Sequence, residues 1–359
     1  MMKVDKIYDF VYLTNTPSFY KLNLCNEIAK KHSLLLVLYG YDSAAVNENI
    51  NNFRDRNFDF YFLHKGPLNS RCKLLSFINL CVIMGRIKYK KVLYAGWLAP
   101  EYNLYSFISS RRKNVVICES SIFDISLHGM KGWIKRRIIG RMTAALPSGI
   151  PHAEFFLRIG FKGHINITGG VGIFYKGEKR TPRLVNSQFH YIYVGRLVDA
   201  KNVTLLIDEF NRNGKPLTIV GCGTLRDTLR IKANANITFM GFVPNEQLGA
   251  IYQAHDVFIL PSKYEPWGLV VEEAIYWGLP VIVSDKVGSS IDMVRDLGTG
   301  CIFQSDNIDS LHYCIKEIER DYQIYKAAVD VVDFAKRDRD QVNACLLYTS
   351  PSPRDMRRS

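Results

Sequence analysis

The chain has 359 residues, 47% of them apolar and 23% charged, an ordinary composition for a soluble globular protein and enough length for two domains with separate cores. No apolar run reaches the ~18 residues of a membrane span; the longest, 74–84, is too short and contains Asn79. The net charge of +13 is unevenly placed: residues 1–180 carry 27 Lys or Arg against 12 Asp or Glu, and residues 181–359 carry 20 against 22.

A basic first half is either a solvated surface or a face turned toward something anionic, such as nucleic acid or the inner leaflet of a membrane. The N-terminal Met-Met-Lys-Val-Asp-Lys-Ile lacks the apolar core and cleavage site of a signal peptide, so the expected location is cytoplasmic. Eight cysteines, at 25, 72, 81, 118, 222, 301, 314 and 345, include no Cys-x-x-Cys pair. They read as free thiols in a reducing compartment and not as a metal cage.

In chain order, residues 7–13 read as a buried strand, followed by a loop at 14–20 and a helix over 20–31. Strands are expected at 34–39, 59–63, 91–95 and 115–118, with a helix at 74–86. Alternating strands and helices imply βαβ units and a parallel sheet. Ligands of such sheets bind outside the carboxyl ends of the strands, here 14–20, Gly96-Trp97 and Glu119-Ser-Ser. Residues 131–142 form a basic stretch with Trp133, Ile134, Ile138 and Ile139 interleaved. This is either an amphipathic helix for anionic lipid or a packed helix whose Lys and Arg reach into water. No RNP-like, zinc-finger or helix-turn-helix pattern is visible, and nucleic acid is not the expected partner.

Residues 176–188 are polar and charged and read as a linker, which divides the chain into domains at 1–180 and 181–344. The pattern then restarts. A strand at 190–194 runs into Gly195-Arg-Leu-Val-Asp-Ala-Lys201, a helix covers 203–211, and a strand at 216–220 runs into Gly221-Cys-Gly223. Helix 224–232, strand 237–240, loop 241–244 and helix 245–254 follow. Residues 311–334 read as two helices, and the charged run 336–340 breaks the pattern. The composition then shifts abruptly, and 345–359 is set aside as a foreign-looking or disordered tail.

The richest stretch is 257–284. An apolar strand stops at Pro261, and Pro266 keeps Glu265 out of a helix. A helix opens at Trp267 or Gly268 and ends near Gly278, and a second strand follows Pro280. Two carboxylates, Glu265 and Glu273, therefore bracket a helix start at a strand's carboxyl end, where free N–H groups favour anions. Glu272 lies ~100° away around the helix and is expected to be structural or solvated. No histidine is assigned a role; His128 and His152 read as structural. Asp338-Arg-Asp340 is not read as a metal site.

Taken in order, Tyr193-Val-Gly-Arg-Leu-Val-x-x-Lys201, Val220-Gly-Cys-Gly223, Phe239-Met-Gly-Phe-Val-Pro244, Pro261-Ser-x-x-Glu-Pro-Trp-Gly-Leu-Val-x-Glu-Glu-Ala274 and the run 278–288 make 189–303 resemble the retaining family-4 glycosyltransferases. The first half resembles them loosely; Asn15-Thr-Pro-Ser-Phe-Tyr20 stands where the family often has a glycine pair. The resemblance implies a GT-B fold, two Rossmann-like α/β domains of parallel sheet facing each other across a cleft. It implies retaining transfer from a nucleoside-diphosphate sugar to a glycan or lipid-linked acceptor in cell-surface polysaccharide synthesis, without a metal or other cofactor. Contact with the inner membrane face would come through the basic half.

By the same resemblance, Arg196 and Lys201 neutralise the departing diphosphate, Glu265 contacts the donor sugar and Glu273 the ribose hydroxyls. The donor is further framed by Gly195, Gly221, Gly223, Phe242 and Val243, and by the backbone at Trp267, Gly268 and Leu269. Two other readings stand beside this one. A GT-B sugar-nucleotide epimerase would want catalytic carboxylates and a histidine across the cleft, and a non-catalytic protein would use the basic half on nucleic acid.

Overall fold

A computed structural model describes residues 6–40, 56–64, 66, 70–97, 99–120, 122, 129–173, 177 and 188–347. Ser121, His128, nearly all of the expected linker and the tail beyond 347 lie outside the described residues. By its internal contacts the chain divides into two units, one of residues 1–174 with 337–359 and the other of 175–336.

The first unit contains β1 (Ile7–Thr14), α1 (Phe19–Ala29), β2 (Leu34–Leu38), β3 (Asp59–Phe62), α2 (Lys73–Arg86), β4 (Lys88–Ala95), α3 (Pro100–Ile108), β5 (Asn114–Cys118), α4 (Gly129–Ile139), β6 (Ala144–Pro147), α5 (Ile150–Arg158) and a short β7 (His164–Ile165). The strands form one parallel sheet in the order β3-β2-β1-β4-β5-β6-β7. Strand β2, Leu-Leu-Leu-Val-Leu, is buried throughout, as a strand covered on both faces must be.

Successive side chains of a strand leave opposite faces of its sheet. Val11 and Leu13 accordingly join a core with Leu80, Tyr102, Ile138 and Phe156, which places α2 to α5 on one face. Phe10 and Tyr12 join the other core, with Leu22, Cys25 and Ile28 of α1.

The second unit contains β8 (Tyr191–Val194), α6 (Val203–Asn213), β9 (Leu217–Val220), α7 (Arg226–Lys232), β10 (Ile237–Gly241), α8 (Asn245–Tyr252), β11 (Val257–Leu260), α9 (Leu269–Tyr276), β12 (Val281–Ser284), β13 (Gly300–Phe303), α10 (Ile308–Arg320) and α11 (Tyr322–Asp330). Its parallel sheet runs β10-β9-β8-β11-β12-β13. This is the doubly wound nucleotide-binding order, with the reversal of direction between β8 and β11.

Two expectations are corrected here. The charged run 336–340 does not break the helical pattern: a helix α12 spans Phe334–Leu347 and passes through it. Cys345, which the sequence sets aside with the tail, is buried in the first unit's core beside Val342 and Leu346. Residues 337–347 thus pack with the first unit, where the sequence puts 181–344 with the second. The reason is visible in the charged side chains: Asp338 Oδ1 accepts from Ile173 N at 3.0 Å, and Arg337 Nη2 donates to Gly169 O.

Nor are all the thiols free. Cys301 on β13 and Cys314 on α10 form a disulfide, because the helix packs against the strand and brings their Cα atoms within 5.6 Å. The other six cysteines are not in disulfides.

Candidate active site

Every candidate residue of the second half lies in the second unit, and the loops that follow β8, β9, β10 and β11 carry most of them. The loops after β8 and β11 flank the point where strand order reverses, the usual ligand position in such sheets. They are stitched together. Lys263 N donates to Ala200 O at 2.9 Å, and its ammonium pairs with Asp199 at 3.0 Å. Beneath that, Lys201 Nζ pairs directly with Glu265 Oε2, both side chains being largely shielded from water.

Lys201 ends a single helical turn, Asp199–Lys201, that the αL residue Asn202 closes. Burial, and then the neighbouring Arg196 charge, lower its ammonium to about 8. Arg196 itself is exposed, and no carboxylate among the described residues pairs with it. Its loop is anchored from below, where the buried Tyr193 hydroxyl donates to Arg196 O at 2.9 Å.

Glu265 is held as a strand would be. Its N–H donates to Lys286 O at 3.1 Å, and its carbonyl accepts from Gly288 N at 2.9 Å, making a parallel bridge with Val287. Trp267 O then accepts from Ser289 N at 2.9 Å. Gly268 turns the chain into α9 at φ 90°, in the left-handed region that a side chain resists. Leu269 opens the helix, half-buried.

The two adjacent carboxylates of α9 differ in their surroundings. Glu272 is buried and accepts from the Trp267 indole N–H at 2.5 Å, which makes it structural. Glu273 is half-buried and accepts from the Tyr252 hydroxyl of α8 at 3.4 Å. Burial raises its carboxyl to about 7, with Glu272 adding to the rise and Tyr252 opposing it. Tyr252 was not among the sequence candidates, because an aromatic on an amphipathic helix carries no signal beyond core packing.

The glycines after β9 have a packing reason of their own. A Cβ on Gly221 would sit 1.9 Å from Gly195 O, and one on Gly223 would sit 2.3 Å from Leu197 O. The two loops therefore touch backbone to backbone: Leu197 N donates to Cys222 O at 2.9 Å, and Leu225 N to Leu197 O at 3.0 Å. Gly195 is confined from below by Tyr193 Oη. These glycines fix the position of the Arg196 loop. After β10, Phe242 is exposed and Val243 half-buried at the same edge of the sheet.

In the first unit, Glu119 accepts from the Tyr20 hydroxyl at 3.2 Å at the carboxyl ends of the strands, and His152 is buried. No group of three His, Cys, Asp or Glu suited to a metal occurs among the described residues.

Comparison with known proteins places this geometry. Residues 176–337 match the family model of glycosyl transferases group 1. An uncharacterized glycosyltransferase of Methanocaldococcus jannaschii is 28% identical over 200 residues, 53% of this chain and 47% of that protein. A GDP-mannose-dependent alpha-mannosyltransferase of Mycolicibacterium smegmatis is 33% identical over 117 residues, 33% of this chain and 31% of its own. The matched stretch thus spans about half or less of these two relatives.

Among solved structures, Anabaena HepE in complex with UDP-glucose superposes with a TM-score of 0.71 at 17% identity, over 94% of this chain and 99% of that one. The lipopolysaccharide outer core galactosyltransferase WaaB superposes at 0.70 and 14%, with the same coverage. The similarity to glycosyl transferases group 1 is carried by residues 176–337, and the chain has the GT-B fold of two parallel-sheet α/β domains.

Proposed function

We propose that the protein is a retaining glycosyltransferase that moves a sugar from a nucleoside-diphosphate donor to a glycan or lipid-linked acceptor in the synthesis of a surface polysaccharide. The observation that carries this reading is the shielded Lys201–Glu265 pair beside exposed Arg196 at the reversal point of the second sheet. Breaking the anomeric C–O bond leaves its electron pair on the diphosphate, and the growing charge needs cations fixed nearby. Arg196 serves as a planar fork and Lys201 as a point charge.

Glu265, aligned by its strand-like bonds and by Lys201, contacts the hydroxyls of the donor sugar. Glu273 accepts from the ribose hydroxyls. The first N–H groups of α9, beyond the turn at Gly268, face the phosphates. The acceptor hydroxyl attacks from the face the diphosphate leaves and passes its proton to the departing phosphate oxygen. Retention then requires no enzymic nucleophile. The base of the donor lies by Phe242 and Val243.

A thermal-shift panel of UDP-, GDP- and ADP-sugars, run on the wild type and on Glu273→Ala, tests the reading. One donor class is expected to raise the melting temperature of the wild type, by mass action on the folded state. Glu273→Ala is expected to lose most of that shift. If no donor stabilises the wild type, or the variant shifts as much as the wild type does, the assignment fails.

A further inference from the structure

Two residues other than glycine stand at positive φ among the described residues, Asn202 at 52° and Asp306 at 59°. Side chains disfavour that backbone, Asn and Asp least, and it persists where the surroundings hold it. The two are bonded to each other: Asn202 Nδ2 donates to Asp306 Oδ1 at 2.9 Å. Asn202 follows Lys201 directly and closes its helical turn. Its side chain is buried, and Asp306 supplies its amide with an acceptor. Asp306 lies in the turn 304–307 between β13 and α10. Strands β11 and β12 separate β8 from β13, so the bond joins loops whose strands lie ~14 Å apart.

The same turn holds the other member of the ion pair. Ser305 N donates to Asp285 Oδ1 at 2.8 Å, and Asp285 N donates to Phe303 O at 2.9 Å. Asp285 leads into residues 286–288, the segment to which Glu265 is bridged by two backbone bonds. One turn therefore touches the residue after Lys201 on one side and the backbone partner of Glu265 on the other. The turn is itself a fixed point. Asn307 Oδ1 caps α10 by accepting from Ser310 N at 3.0 Å, Gln304 N donates to Ser310 Oγ at 3.0 Å, and Cys301–Cys314 joins β13 to α10. Between these anchors Lys201 Nζ meets Glu265 Oε2. Burial works against the Lys201 cation, which would gain by turning out to water. The fixed backbone behind it keeps it in place.

We propose that Asp306 and Asn202 are positioning residues: acting through Lys201 and its partner Glu265, they set where the ammonium stands against the β-phosphate of the donor. Given the donor reading proposed above, on which this role rests, charge grows on the β-phosphate oxygen as the anomeric bond breaks. A displaced Lys201 then weakens recognition of the β-phosphate and leaves the contacts to base, ribose and α-phosphate intact. A residue that only stabilised the fold would weaken all of these together.

The test uses the full chain and two substitutions. Asp306→Gly accepts the left-handed backbone but removes the acceptor oxygen, whereas Asp306→Asn keeps both. Hydrogen exchange read by mass spectrometry is expected to quicken in Asp306→Gly over residues 197–206, where Lys201 N and Asn202 N close the turn, and to stay unchanged in β8 and β9. Asp306→Asn should exchange as the wild type does. Titration calorimetry then compares UDP, GDP and ADP with UMP, GMP and AMP. For the base that the wild type binds, Asp306→Gly should hold the diphosphate about fivefold more weakly, the effect of one ordinary hydrogen bond, and the monophosphate equally well. Asp306→Asn should restore the diphosphate affinity. Unchanged exchange at 197–206, or equal loss of diphosphate and monophosphate affinity, overturns the proposal. So does a wild type that binds none of the three diphosphates; that result also removes the donor reading, which the first two leave standing.

Discussion

At Glu273 a carboxylate is kept where ionisation costs free energy. Burial raises it to about 7 from an ordinary 4.5, and the single neighbour that opposes the shift is a Tyr252 hydroxyl at 3.4 Å. A raised carboxyl pKa means that the folded state holds its proton more tightly than the unfolded chain. Stability therefore falls as pH rises from about 4.5 to about 7 and stays reduced above that. One pKa unit is worth 1.36 kcal/mol, and water reaching a half-buried group reduces the figure, so the cost above neutrality is on the order of 2 kcal/mol. Glu273→Gln keeps the shape and still accepts from Tyr252 without the charge. It is expected to melt higher than the wild type at pH 8, to lose that advantage by about pH 4.5, and to bind the donor more weakly. Melting curves across that pH range, with and without nucleotide sugar, measure both effects. A variant less stable than the wild type at pH 8 would show that the carboxylate is already paid for by the fold. Glu273 was legible as a candidate because it follows Glu265 in one motif; its strained ionisation was not, because burial depends on α8.

Elements rather than single side chains set the position of the cations. The loops after β8 and β9 lie backbone to backbone, and Gly221, at φ 134° with Gly195 O where its Cβ would be, permits the contact. Gly221→Ala must push the loops apart. It is expected to cost roughly 2–4 kcal/mol in urea unfolding, within the range for strain at a special backbone position. Donor affinity should fall as well, since the Arg196 loop moves. Unchanged unfolding with unchanged donor binding would mean that the contact is dispensable. The elements around these loops were readable because their strands are short, mostly apolar runs ending at Gly or Pro, and because Gly268 marks the turn into α9. The two-residue β7 was missed, being too short to show any period. The role of the glycine pair was half legible: a Gly-x-Gly signals a close approach, but which backbone approaches is fixed by the pairing of β8 with β9.

On the scale of the whole molecule, the decisive element is the one that the sequence disguised. Helix α12 leaves the second unit and completes the first, supplying Val342, Cys345 and Leu346 to the core that also holds Phe10 and Cys25. Its charged run looked like a break because Lys, Arg and Asp favour solvent, yet such residues are tolerated in helices. Here two of them tie the helix to Gly169 and Ile173. No local pattern announces a contact made across more than 160 residues. Removing residues 337–359 strips three apolar side chains and two hydrogen-bonded tethers from the first unit while leaving the second unit's sheet and candidate site intact. Partial burial of those side chains contributes on the order of 3–5 kcal/mol, a large part of the ~5–15 kcal/mol that holds a domain together. A chain ending at residue 336 is therefore expected to unfold in two steps by calorimetry. The first unit should melt early, and the later transition should still move upward with the nucleotide sugar that stabilises the full chain. Asp338→Ala, which removes the acceptor for Ile173 N and leaves the three apolar side chains in place, should move the first transition in the same direction by less. A shortened chain that melts in one step at the full-length temperature would show that α12 is an appendage and not part of the first unit's core.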